Sequence, residues 1–339
     1  LWMQISHAGR QTPYGINTES VAPSANRLQP LGGVLKFGNP RELTKSEILD
    51  IIDRFINAAV IAKETGFTGV QLHSAHGYLL SEFLSPNINQ RSDEWGGSLQ
   101  NRARLLLETI SGIRSKVGND YPISVKLNSS DFQKGGFSHE ESLEVAKMLD
   151  QSSLDLLEIS GGTYENFTAL DIGSMNLKES RTIKPARSTV VREAYFLKYA
   201  SEIKEHISLP LAVTGGFRST DGMNKALETN ACDIIGLGRP LCSEPDLVNN
   251  LLSGHKSSAI LYENILELGP WILGLNSPFK MIKSNNRVAQ VYWCYRQILE
   301  IAAKKDVDPK ISLISALINH FRDDAKLSKK YKKYWQDLN

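Results

Sequence analysis

The sequence predicts an α/β fold, read as a (β/α)8 TIM barrel lacking its first two strands and followed by a C-terminal helical extension. Three observations carry this reading. Short apolar runs alternate with amphipathic stretches of helical length through most of the chain, the pattern of βα units and a parallel sheet. Polar and glycine residues cluster behind nearly every run, and function spread over all the strand ends marks a barrel. The G-x-G-x-x-G turn expected after an early strand of a doubly wound sheet is absent.

The apolar runs fall at residues 1–6, 68–72, 123–127, 156–159, 209–213 and 234–237. These give six strands where a closed barrel needs eight. The first residue is Leu1 rather than Met, and residues 1–6 already read as a core strand. The expectation is a chain that begins inside its barrel. Helices are expected at residues 45–65, 99–117, 140–151, 193–206 and 221–228. Thr44 with Glu47, and Ser138 with Glu141, have the spacing of capping boxes.

Near Glu263 the rhythm breaks. Gly269-Pro270-Trp271 reads as a turn, with further helices at residues 288–303 and 311–321. The expected division is a barrel domain at residues 1–260 and a helical extension at residues 261–339. The run 326–333, rich in Lys and Tyr, reads as a solvated helix face, with a basic nucleic-acid arm as the alternative.

Composition narrows the function classes. Hydrophobic content of 41% with 22% charged residues suits a soluble globular protein. A net charge of +2 exerts no global pull on nucleic acid or anionic membrane, so any cofactor phosphate needs local basic groups. Cys232, Cys242 and Cys294 form no CxxC pair, which disfavours a zinc ribbon or an iron–sulfur cluster. A disulfide framework is not expected in a chain this large. No run approaches the roughly 18 apolar residues of a spanning helix. A reducing, cytoplasmic location is expected, with targeting left open by the start at Leu1. Oligomeric state is not legible.

The most informative stretch is His73-Ser74-Ala75-His76-Gly77-Tyr78, behind the run Gly69-Val70-Gln71-Leu72. Two imidazoles and a phenol at one strand end can grip a carbonyl oxygen and deliver a proton. That suits redox chemistry on an activated alkene better than hydrolysis. The plainer alternative is one buried and one loop histidine. A metal reading lacks partners at ligand spacing.

Gly215-Gly216-Phe217-Arg218 and Gly238-Arg239 follow the last two strands. Glycines let backbone N–H groups approach a phosphate, loops in these positions often bind one, and Arg239 would add a guanidinium. Alternatively, the glycines only make turns. Lys126 stands inside the apolar run Ile123-Ser124-Val125-Lys126-Leu127. An unpaired buried ammonium is costly, so its side chain should face the barrel mouth and balance an anion there. The alternative is an exposed strand-end Lys. The turn-rich segment 85–98 reads as a packing clamp.

Taken together, these residues resemble the Old Yellow Enzyme family of flavin-dependent ene-reductases. The resemblance rests on Gln4-Ile5-Ser6-His7-Ala8-Gly9-Arg10, on residues 73–78 running on through Phe83-Leu84-Ser85-Pro86, and on Arg91-Ser92-Asp93-Glu94-Trp95-Gly96-Gly97-Ser98 with Asn101-Arg102. It continues to Gly215-Gly216-Phe217-Arg218 and Gly238-Arg239, and covers residues 1–252. The resemblance implies non-covalent FMN at the barrel mouth and NAD(P)H as hydride donor in ping-pong turnover. It also implies a small-molecule unsaturated carbonyl substrate. By the same resemblance, Gln4 meets the flavin pyrimidine edge, and Lys126 stands where the family usually has Arg. His73 and His76 hold the substrate carbonyl, and Tyr78 protonates the alkene carbon. Gly215, Gly216, Gly238 and Arg239 form the phosphate site.

Three departures accompany the resemblance. The family's first strand, with its flavin contact, is absent. Trp95 replaces a common Tyr. The segment after Glu263 lacks the cysteine cluster of the larger dienoyl-CoA reductase relatives, which disfavours the iron–sulfur branch. Two competing readings stand beside the enzyme: a catalytically silent binding or scaffold protein, whose unpaired sheet edges recruit partners, and a phosphate-binding barrel lyase or isomerase with Lys126 as Schiff base.

Overall fold

A computed structural model describes residues 1–28, 36–163 and 196–338. Its centre is a six-stranded, all-parallel sheet with strand order β1-β4-β5-β6-β7-β8. The strands are β1 (Trp2–Ile5), β4 (Gly69–Ser74), β5 (Ile123–Asn128), β6 (Leu156–Ser160), β7 (Leu211–Thr214) and β8 (Ile234–Gly236). All six expected strands form. Among the described residues, the two intervening strands, β2 (Glu19–Ala22) and β3 (Asn39–Glu42), pair only with each other.

Register sorts the two sheet faces. Val70 aligns with Ile123, Leu72 with Val125, Leu127 with Ile159, and Leu157 with Leu211. These side chains are buried in the main apolar core with Ile48, Ile52 and Phe55 of α1 (Lys45–Glu64) and Leu106 and Ile110 of α3 (Leu99–Val117). With a side-chain period of two, the intervening residues share the opposite face. Gln4 aligns there with Gln71, His73 with Lys126, Lys126 with Glu158, and Asn128 with Ser160. One face of the sheet is therefore aliphatic and helix-covered, and the other carries polar chemistry.

Both expected capping boxes are present, at Thr44/Glu47 before α1 and at Ser138/Glu141 before α4 (His139–Asp150). The helix expected at residues 193–206 is seen as α5 (Leu197–Lys204), with its first residues outside the described set. The helix expected at 221–228 is α6 (Thr220–Glu228). Short α2 (Leu79–Leu84), α7 (Arg239–Ser243) and α8 (Leu247–Leu252) complete this part.

Two long helices follow, α9 (Lys280–Ala302) and α10 (Leu313–Leu338). α9 begins eight residues before its expected start, and α10 runs seventeen residues past its expected end. The early turns of α9 bury Asn286, whose Nδ2 donates to the carbonyls of Leu273 and Ile282, so an apolar period does not reveal them. The Lys- and Tyr-rich run continues α10 with Lys326, Lys329, Lys330 and Lys333 exposed. Ala289, Trp293, Leu313 and Ala316 form a small separate core between the two helices. Among the described residues, no helix is long and apolar enough to cross a membrane.

Segment 85–98 is a clamp. Arg91 is buried and donates to the carbonyls of Pro23 and Leu43 and to the Asp93 carboxylate, while Asn89 donates to Phe83 and Trp95 carbonyls. Trp95, the departure from Tyr, is buried under Arg104.

The turn after β1 is equally tight. Gly9 has φ +57°, and a Cβ there would stand 2.3 Å from Glu82 Oε1. Glu82 is fully buried, and its Oε1 accepts the Arg10 N–H at 2.9 Å. Gly9→Ala is expected to destabilise the fold by about 1–3 kcal/mol through backbone strain. Urea unfolding should show a lower midpoint with an unchanged slope; an unchanged midpoint would remove the constraint.

Candidate active site

β4 extends through Ser74, because its pairing with β5 continues to Leu127. His73 therefore lies within the strand, not behind it. The chain then turns sharply, with His76 at φ +60° and Gly77 at φ +77°. Left-handed backbone at a non-glycine residue is strained and persists only where its surroundings hold it. Here the His76 N–H donates to Asn128 Oδ1 at 3.1 Å, and Gln11 Nε2 donates to the His76 carbonyl at 2.8 Å. Asn128 is itself fully buried and donates to Asp131 Oδ1 and the Gly162 carbonyl. Burial pushes the Asp131 carboxyl up, against the hydrogen bonds it accepts from Ser85, Asn128 and Phe137.

The imidazoles are linked head to tail. The Ala75 N–H donates to His73 Nδ1, which places the His73 proton on Nε2. His73 Nε2 lies 3.3 Å from His76 Nδ1, and His76 Nε2 lies 2.8 Å from Ser160 Oγ. The consistent assignment is two neutral rings, each protonated at Nε2. The Tyr78 ring meets His73 edge-on, with centroids 4.8 Å apart. The structure thus brings His73, His76 and Tyr78 together. The pair passes one donor direction toward Ser160 instead of aiming two N–H groups at a shared point.

Electrostatics keep the rings neutral. Burial, then the Lys126 charge, lowers His73 to about 4, with Glu158 opposing. Burial and the neighbouring His73 and Lys126 hold His76 well below its ordinary value.

Below the histidines on the same face runs a polar ladder. Gln4 Nε2 donates to Gln71 Oε1 at 2.6 Å, and Gln71 Nε2 donates to Glu158 Oε2 at 2.7 Å. Lys126 Nζ pairs with Glu158 Oε1 at 3.0 Å, and the Thr214 hydroxyl donates to the same oxygen. Lys126 does face the polar side of the sheet and balance an anion, but that anion is Glu158. Gln71, Asn128, Glu158 and Ser160 carried no role in the sequence reading. The argument applied to Lys126, a charge inside an apolar strand, applies equally to Glu158 and would have found it.

At the ends of β7 and β8, Gly215 has φ +150° and Gly216 φ +88°. A Cβ on Gly215 would stand 2.6 Å from the Phe196 ring, so close packing demands this glycine. Arg218 is turned away into an ion pair with Glu263 at 2.6 Å. Burial alone would raise the Glu263 carboxyl, but Arg218 and Arg239 outweigh it and hold the group low. Gly238 is exposed with open space at its Cβ direction, and Arg239 opens α7 beside it. Among the described residues, no group of three or more His, Cys, Asp or Glu is placed to hold a metal. Cys232, Cys242 and Cys294 are free thiols.

Because both histidines titrate below their unfolded value of about 6.5, the unfolded chain takes up protons first as pH falls. The His73 contribution is intact above pH about 6.5 and is lost toward pH about 4, and His76 acts in the same direction. At 1.36 kcal/mol per unit, His73 alone accounts for on the order of 3 kcal/mol. Denaturant melts across that window should show stability falling with acid, and less steeply in His73→Asn; identical slopes would refute the assignment.

The profile of the NADH:flavin oxidoreductase / NADH oxidase family matches residues 1–257. The chain is 39% identical over 259 residues to the NADH-dependent flavin oxidoreductase nadA of Aspergillus parasiticus, covering 76% of this chain and 55% of that one. It is 36% identical over 259 residues to an NADH oxidase of Thermoanaerobacter brockii, covering 76% of this chain and 37% of that one. Against solved structures, an old yellow enzyme homologue from Zymomonas mobilis superposes with a TM-score of 0.61 at 26% identity, covering 77% of this chain and 69% of that one. The chain thus spans only about a third to just over half of the length of these two sequence relatives.

Proposed function

The chain belongs to the NADH:flavin oxidoreductase / NADH oxidase family, and from that premise we propose that it reduces the C=C bond of α,β-unsaturated carbonyl compounds with FMN and NAD(P)H. The observation that carries the reading is the neutral His73–His76 pair held beside the Tyr78 phenol at the end of β4. Residues 1–260 would be the flavin-binding unit and residues 261–339 a helical extension beside its mouth.

The residues present fit an FMN. The Gln4 amide is exposed on the polar face and the Lys126 ammonium shares that face, a donor set suited to the pyrimidine edge of the ring. Gly216 at φ +88° and the exposed Gly238, with Arg239 next to it, lie at the ends of neighbouring strands and would suit its phosphate, with Gly215 beside them packed on Phe196. When bound, FMN supplies the hydride chemistry, and NADH, named for both sequence relatives, is the first donor to test.

The rest falls to the chain. His76 Nε2–H is already poised as a donor, shared with Ser160. His73 Nε2–H is held only by a long 3.3 Å contact, so it can turn to a substrate oxygen at little cost. Their neutrality keeps both as N–H donors that polarise the carbonyl without surrendering a proton. Tyr78, against His73, would hold the proton at its Oη for the alkene carbon. Lys126 is engaged by the Glu158 carboxylate, which supports a charge role over Schiff-base chemistry.

Protein mixed with FMN and gel-filtered should stay yellow and release flavin on denaturation. Colourless protein would sink the reading and leave the binding-protein alternative. Tyr78→Phe should retain flavin and its reduction by NADH, while turnover of 2-cyclohexen-1-one falls about 10²–10⁴-fold. Undiminished turnover would remove Tyr78 as proton donor.

A further inference from the structure

A second cavity adjoins the candidate active site. Its volume is about 590 Å³, within the range of small-molecule pockets. One wall comes from the segment after β1, including Tyr14, and from Tyr78. The other comes from the C-terminal helices: Val291, Tyr292 and Tyr295 of α9 and His320 of α10. His320 stacks on Tyr292 with centroids 3.8 Å apart and an interplanar angle of 23°. The Ser328 hydroxyl of α10 donates to the Gly15 carbonyl and ties the two walls together.

Tyr78 is the shared wall. One edge meets His73, and the same side chain lines the cavity. The Tyr78 side chain therefore sets the aromatic enclosure one residue away from the histidine pair. Aromatic rings prefer stacked or edge-on partners with centroids 4.5–7 Å apart, and this lining offers several.

We propose that this cavity receives a flat aromatic substituent of the unsaturated carbonyl substrate, so that α9 and α10 set the size of substituent accepted. The proposal rests on the reading of the previous subsection for the reacting carbonyl, but the cavity can be probed without turnover.

The probe is 2-naphthol, titrated into the full chain by calorimetry, with and without FMN. Val291→Trp fills the cavity and should weaken naphthol binding at least tenfold. Tyr295→Ala removes part of the wall and should weaken it several-fold, which covers a failure of the Trp variant to fold. In turnover, the ratio of kcat/KM for trans-chalcone to that for 2-cyclohexen-1-one should fall about tenfold or more in Val291→Trp. Naphthol binding unchanged in both variants, no binding to the wild-type chain, or an unchanged substrate ratio would each overturn the proposal. Variant-sensitive naphthol binding by a chain that takes up no FMN would support the cavity and overturn the flavin reading instead.

Discussion

The polar ladder across the middle of the sheet is arranged around one carboxylate. Glu158 sits at the centre of β6 and receives Lys126 from β5, Gln71 from β4 and Thr214 from β7. A buried charge without partners would be prohibitively costly, and a partly satisfied network is little better. With three donors converging on it, Glu158 instead fixes how four neighbouring strands align on the face where the chemistry lies. It also sets the electrostatics. Burial and then Lys126 lower His73 above it, and Glu158 tempers that shift.

The second constraint is the backbone at His76. A histidine at φ +60° followed by a glycine at φ +77° lets the chain reverse within one step of the strand end. That reversal folds His76 back toward His73 and sets Tyr78 at the cap of α2. The strain is met by Asn128 and Gln11 gripping both polar groups of the His76 backbone. Behind Asn128 stands Asp131, so the histidine loop is positioned from β5 and its following turn, not only from its own strand.

Much of this was legible in the sequence because it follows period and cap. Six strands, the main helices and both capping boxes carry strong local signals, and the grouping of His73, His76 and Tyr78 follows from their nearness in the chain. The elements that escaped have physical reasons. β2 and β3 are four residues each, and β3 contains Pro40 and charged side chains, so neither shows alternation. α2 buries all six residues and has no polar stripe. The inward face of α9 mixes Asn286, Gln290 and Gln297, which hydrogen-bond to loop carbonyls, with Ala289 and Trp293, so its apolar period is interrupted by polar residues. The head-to-tail direction of the histidine pair depends on the Ala75 N–H and on Ser160, eighty-four residues from His76. No local pattern encodes a partner at that distance.

The bond between Ser328 and Gly15 joins residues 313 apart in the chain. Protein synthesis runs from one end to the other, and elements built from near neighbours organise first. The central sheet ends at Gly236, so all six of its strands are made before the C-terminal helices. The aromatic enclosure cannot be complete by then, because its outer wall belongs to helices that begin at Lys280, after the last strand of the sheet. During its birth the molecule therefore passes through a stage with a finished floor and no lid over it.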